Sequence, residues 1–325
     1  MKIRGRRLAS SLLLSTTLAG AVSAPVLADH EAPRLGLAPI GEDGQFFDLT
    51  LQPGETADLQ LEIASFGHED VQARTYAADA YSIINGGFGA ELFGEPGSGA
   101  TRWIDYPTKE VMLGRRDALV IDFSVTVPTG TLPGEYITSV VAENIHPYSG
   151  ATGSIALEQV NRTAIAVAVE VPGRKDPALA IGSVAHKASG GTSFVTFEVA
   201  NTGNVHLKPR GRFILRDTAA NELATVPALM DSVYAGSATQ FEAPLGEALV
   251  PGEYCADLSL TDEETGAADA VECLPFTVEA PVPPPLGPDV GSMTIPIIQP
   301  AIEAAVGNPP AAALVVTALL ALLGA

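Results

Sequence analysis

The chain has 325 residues, enough for two domains, and 46% of them are apolar, which argues against a disordered chain and for filled cores. Its formal charge of −20 argues against a nucleic-acid binder, because such a surface repels phosphate backbones. The 32 glycines and 25 prolines favour many turns over long helices.

The chain opens like a secretory signal. Lys2, Arg4, Arg6 and Arg7 precede an apolar stretch from Leu8 to Val22, and Val26 and Ala28 give a small-residue cleavage pattern before Asp29. An uncleaved membrane anchor is the alternative. Residues 1–28 are therefore expected to be a signal helix and 29–44 a linker.

From Gln45 onward the pattern is strand after strand. Phe47, Leu49 and Leu51 alternate with polar residues, Pro53-Gly54 turns the chain, and Leu59, Leu61 and Ile63 alternate again. Further strands are expected at 71–80, 118–127, 136–143 and 156–171. No helical period of any length appears between residues 45 and 279. A boundary is expected at Val171-Pro172-Gly173-Arg174-Lys175-Asp176-Pro177. A second set then follows from Ala178, with strands at 194–200, 212–216, 239–243, 254–260 and 271–279. The expected fold is all-β, with two tandem immunoglobulin-like β-sandwich domains at 45–173 and 177–279.

The two halves share a weak repeat. Leu61-Glu62-Ile63-Ala64-Ser65-Phe66-Gly67 matches Phe197-Glu198-Val199-Ala200-Asn201-Thr202-Gly203, and Leu132-Pro133-Gly134-Glu135-Tyr136 matches Val250-Pro251-Gly252-Glu253-Tyr254. The Pro-Gly pair predicts a type II turn, followed by a Tyr that opens a half-buried strand. Two unrelated sandwiches with convergent turns would give the same match.

Pro281 to Pro285 with Pro288 predicts a stiff stalk over 280–309. The hydrophobic tail, 310–325, is apolar from Ala311 except for Thr317. As a helix it would reach about 22 Å, short of a hydrocarbon core of about 30 Å. It either associates with the membrane or docks on a partner.

Cys255 and Cys273 are the only cysteines. Strand parity places both on the outer face of neighbouring strands, which predicts a disulfide in an oxidising exterior. The five histidines form no HxxxH or HxH pair, so no metal site is expected. No GxSxG, HExxH or Walker pattern occurs, so neither an enzyme nor a cofactor is expected. No Lys or Arg follows Arg216, which leaves an acidic, solvated end.

One stretch concentrates aromatic rings. Residues 76–103 carry Tyr76, Tyr81, Phe88, Phe93 and the only Trp, Trp103, beside Asp79 and Asn85. Rings beside amides on a Gly-rich loop suit stacking and hydrogen bonding to a sugar or a partner chain. Tyr81, Asn85, Phe88 and Trp103 are the candidate ligand-binding residues. Plugging the sandwich is the other reading for the rings, Trp103 above all.

The segments FDLTLQPGETADLQLEI, YAADAYSIINGGF, WIDYPTKEVML, FSVTVPTGTLPGEYITSVVAEN and AIAVAVEVPG lie within residues 45–172. This region resembles the peptidoglycan-binding domain of the WxL-interacting-protein family. The resemblance implies a non-catalytic bacterial cell-surface scaffold that contacts peptidoglycan and WxL-type surface proteins, with no catalytic residues to carry over. It also implies a membrane anchor with a basic tail, and the tail of this chain has no basic residue. The competing expectation is a chaperone-like or adhesive protein that binds partners by β-strand addition at an exposed edge.

Overall fold

The computed structural model describes residues 34–42, 44–152 and 155–280, and the expected signal helix, most of the stalk and the hydrophobic tail lie outside them. The first group of strands comprises β1 (Leu35–Ile40), β2 (Phe47–Thr50), β3 (Thr56–Ser65), β4 (Val71–Ser82), β5 (Phe88–Ala90), β6 (Ile104–Asp105), β7 (Lys109–Leu113), β8 (Ala118–Thr126), β9 (Gly134–Asn144), β10 (Tyr148–Thr152), β11 (Ile155–Gln159) and β12 (Arg162–Val171). A single 3₁₀ turn, Gly99–Trp103, interrupts them. The second group comprises β13 (Leu179–Ser189), β14 (Thr192–Asn201), β15 (Arg210–Asp217), β16 (Glu222–Leu229), β17 (Ala238–Pro244), β18 (Gly252–Thr261) and β19 (Ala268–Val278).

Each group folds into a β-sandwich. In the first, sheet β1-β3-β8-β6 faces sheet β2-β12-β9-β4, and both β5 and β7 pair with β4. Strict alternation buries Leu61, Ile63, Ile121, Phe123 and Val125 from one sheet against Val140, Val167 and Val169 from the other. In the second, sheet β13-β14-β17 faces sheet β16-β15-β18-β19 around Phe197, Phe213, Leu215, Phe241 and Leu258.

The strand orders superimpose. β1-β3-β8 corresponds to β13-β14-β17, and β12-β9-β4-β7 corresponds to β19-β18-β15-β16. Both repeated motifs fall at matching places in this frame. The first ends β3 and β14, where the Phe66 and Thr202 amides donate to the carbonyls of Arg34 and Ala178. The second starts β9 and β18. There the Tyr136 hydroxyl donates to the Leu132 carbonyl, and the Tyr254 hydroxyl to the Val250 carbonyl, each at 2.8 Å. These are tyrosine corners, which fix where the strand enters the sandwich. The expected type II turn is not the device. Gly134 has φ 153° and Gly252 is not at positive φ, because each already opens an extended strand.

Several observed strands depart from the expected set. The segment read as a linker contains β1, an edge strand whose Pro39 broke the alternation signal. The strand expected at 156–171 is two, β11 and β12, broken at Val160-Asn161, where Asn144 and Asn161 exchange hydrogen bonds. β16, with Pro227 inside it, is not expected as a strand, and among the described residues it pairs only along one side, with β15.

Cys255 and Cys273 form the disulfide, 18 residues apart in sequence. Cys255 faces Pro275, so Cys273 is not directly opposite it, and the register slips between Ala256 and Leu258. A left-handed Cys273, φ 48°, sits in this bulge, with its amide donating to Asp257 at 2.8 Å. Parity alone placed both thiols on the outer face; the bulge leaves Cys273 exposed and Cys255 buried.

Candidate partner-binding site

The four candidate residues lie in the segment by which the first sandwich departs from the second. Between β4 and β7 it inserts β5, the 3₁₀ turn and β6. Tyr81 pairs with Gly89 across the β4–β5 hairpin, and its ring occupies the space that a Cβ at Gly89 would need. It is 42% exposed. Phe88 is half-buried against a small cluster on the outer face of the sheet, formed by Tyr76, Ala78, Ala90 and Val141. Trp103 is half-buried against the first core, with its ring 4.6 Å from that of Tyr136. The rings therefore do not converge on one surface. The Tyr76 hydroxyl donates to Glu143, and burial, with the Glu143 charge next, pushes its pKa up to about 12.

Asn85 faces the second sandwich. It takes the left-handed conformation, φ 61°, as Asn does more readily than most residues, and Gly86 and Gly87 follow at positive φ. The tip of the hairpin thereby turns its backbone onto β17. The Asn85 amide donates to the Gln240 carbonyl at 2.8 Å. Its side-chain oxygen accepts from the Glu242 amide at 2.7 Å, and its side-chain nitrogen donates to the Glu242 carbonyl at 3.3 Å. The Asp231 amide donates to the Asn85 carbonyl, and the Gly87 amide to the Ser232 carbonyl. Thr239 donates its hydroxyl to the Ile83 carbonyl at 2.6 Å. A side chain on Gly86 would run into the Asp231 backbone, so this contact requires glycine.

A second patch joins the sandwiches at the first tyrosine corner. The Glu135 amide donates to the Asn204 carbonyl, and the Asn204 side chain donates to the carbonyls of Pro133 and Arg174. The Glu135 carboxylate accepts from the His206 amide at 2.7 Å and from its ring at 2.5 Å, with Lys175 at 3.4 Å. Burial alone would raise the Glu135 carboxyl. The hydrogen bonds from His206, aided by the charges of His206 and Lys175, outweigh burial and hold it at about 2. The same hydrogen bond raises His206, against its own burial. Sequence reasoning missed Glu135, Asn204 and His206, whose partners lie tens of residues away.

The sheet edges divide sharply. The edge of β17 lies under the hairpin tip. β13 is tied to the facing sheet, where the Ile181 amide donates to Asp269 at 2.7 Å. β16 carries Pro227, which removes one donor and blunts that edge. In the first sandwich, β9 and β12 run on past the Asn144–Asn161 contact into β10 and β11. Those two strands pair only with each other among the described residues, from Tyr148↔Gln159 to Thr152↔Ile155. This arm extends about 17 Å at the usual rise per residue. Both of its outer edges are without a neighbouring strand among the described residues.

No group of three His, Cys, Asp or Glu side chains among the described residues is placed to hold a metal. No helix among them is long and apolar enough to cross a membrane.

No family model and no curated protein matches the chain. Solved β-sandwich structures do. A chain of the chaperone–tip adhesin complex of CFA/I fimbriae is 12% identical, with a TM-score of 0.33, covering 77% of this chain and 100% of that one. A chain of the CsuC–CsuE chaperone–tip adhesion subunit complex of Acinetobacter baumannii is 10% identical, with a TM-score of 0.34 over 73% of this chain and 97% of that one. The E. coli chaperone DraB is 10% identical, with a TM-score of 0.31 over 76% and 97%. Likeness this distant carries no function across.

Proposed function

We propose that this protein is a non-catalytic binding protein of the bacterial cell exterior that holds a partner polypeptide by strand addition to the β10–β11 arm. The arm itself carries this reading. A lone two-stranded ribbon is marginal in water and presents two rows of backbone donors and acceptors. Its sequence from Tyr148 to Leu157 has no charge and no proline, the devices that usually protect such an edge. An extended segment of a partner would satisfy those groups. A photo-crosslinking residue in place of Ser149 or Glu158, in protein kept in its native envelope, tests this. Discrete crosslinks to an extended partner segment are expected. Crosslinks from control positions on β16 with none from the arm would count against it.

One observation favours a second reading, the scaffold implied by the resemblance to WxL-interacting proteins. YAADAYSIINGGF covers the β4–β5 hairpin, and WIDYPTKEVML runs from the 3₁₀ turn to β7; the second sandwich has neither the hairpin nor the turn. Tyr81, the most exposed of the three aromatic candidates, would be the contact. Retention of the purified protein on insoluble peptidoglycan, weakened by Tyr81→Ala, is the expected result. Retention no greater than that of an unrelated sandwich would remove the glycan half of this reading.

A further inference from the structure

We infer that the outer edge of β17 is a second strand-accepting surface, occupied in cis by the 83–87 tip, and that its ligand is an extended Asn-Gly-bearing segment of a partner polypeptide. The tip displays the chemistry of the occupant. It advances from Ile83 beside Thr239 to Asn85 beside Gln240 and Glu242, so it runs parallel to β17. The backbone amide of Asn85 satisfies Gln240, and its side-chain amide satisfies both the amide and the carbonyl of Glu242. A side-chain amide thus stands in for the peptide unit of an added strand. Only the centre of the seven-residue strand is covered in this way. Specificity comes from the turn that follows. A residue in the left-handed conformation and then a glycine are needed, because the Asp231 backbone fills the space beside Gly86.

The surface would then be governed by competition. A partner segment with the same features gains the edge when the tip leaves it, and the −20 charge of the chain disfavours a second copy as that partner. This inference shares only the strand-addition mechanism with the proposed function. The two edges lie in different sandwiches and are tested separately, so either can fail alone.

A labelled peptide with the sequence from Ser82 to Phe88, SIINGGF, is the probe, read by fluorescence anisotropy against the full chain. Gly86→Ala expels the tip. Asn85→Gly removes the side-chain amide while keeping the left-handed backbone at no steric cost, so it retains the fold. Both variants are expected to bind the peptide at least tenfold more tightly than the wild type, and a peptide with Ala in place of the Asn is expected not to bind. Asn85→Gly protein that melts cooperatively yet takes up no peptide would overturn the inference. So would equal binding to wild type and variants, or dimerisation of the variants in place of peptide uptake.

Discussion

The two sandwiches share one frame and differ in what hangs from it. The second is a plain frame, closed at its edges by a tip from its neighbour, a carboxylate and a proline, and stapled by the Cys255–Cys273 bond. The first has no disulfide. It carries a hairpin, a 3₁₀ turn and an arm that the second lacks. The frame supplies stability and the insertions supply contacts. One insertion is already used inside the chain, on β17. The arm is not.

Core substitutions test the shared frame with the largest effect. Leu61 and Phe197 occupy equivalent positions of the repeat, and both are fully buried. Leu61→Ala should cost about 2–5 kcal/mol and Phe197→Ala about 3–5 kcal/mol, measured by denaturant unfolding. A cost below about 1 kcal/mol at either site would break the equivalence. Next comes the staple, where the sandwiches should part. Cys255→Ala with Cys273→Ala should destabilise the second sandwich by about 3 kcal/mol in the chain-entropy model. The stability of the first sandwich should be unchanged.

The tyrosine corners should behave alike again, on a smaller scale. Tyr136→Phe and Tyr254→Phe each remove one hydrogen bond and should each cost about 1 kcal/mol. A large difference between them would mean that one corner is incidental. The smallest effect concerns the junction. The depressed Glu135 carboxyl contributes stability that is present above its ordinary value of 4.5 and is lost as pH falls toward about 2. The raised His206 contributes stability that is full below its ordinary 6.5 and is lost as pH rises through its folded value. The contact should therefore be tightest between pH 4.5 and 6.5. Lys175, Lys208 and Glu264 modulate the pair from neighbouring positions. His206→Gln should flatten the dependence of domain-domain protection on pH.

Much of the frame was legible because alternation is local. Phe47, Leu49, Leu61 and Ile63 announce buried faces from adjacent residues alone. The Pro-Gly-Glu-Tyr motif marked the right place in both sandwiches, but its mechanism lay in the Tyr hydroxyl and not in the turn. Proline hid β1 and β16, because the alternation signal does not distinguish an edge strand from a loop. The arm was hidden differently: β11 and β12 read as one run, since the break at Asn161 depends on Asn144, 17 residues away. Asn85 was noticed for its loop, yet its partner Glu242 lies 157 residues on. No local pattern encodes such a contact.

Residue-resolved hydrogen exchange on the full chain tests the contrast between an open arm and a closed β17 in one experiment. Amides of β10 and β11 should exchange orders of magnitude faster than those of β9 and β12, while the Glu242 and Asp231 amides exchange far more slowly than the arm. A strongly protected arm together with a rapidly exchanging Glu242 would contradict the account.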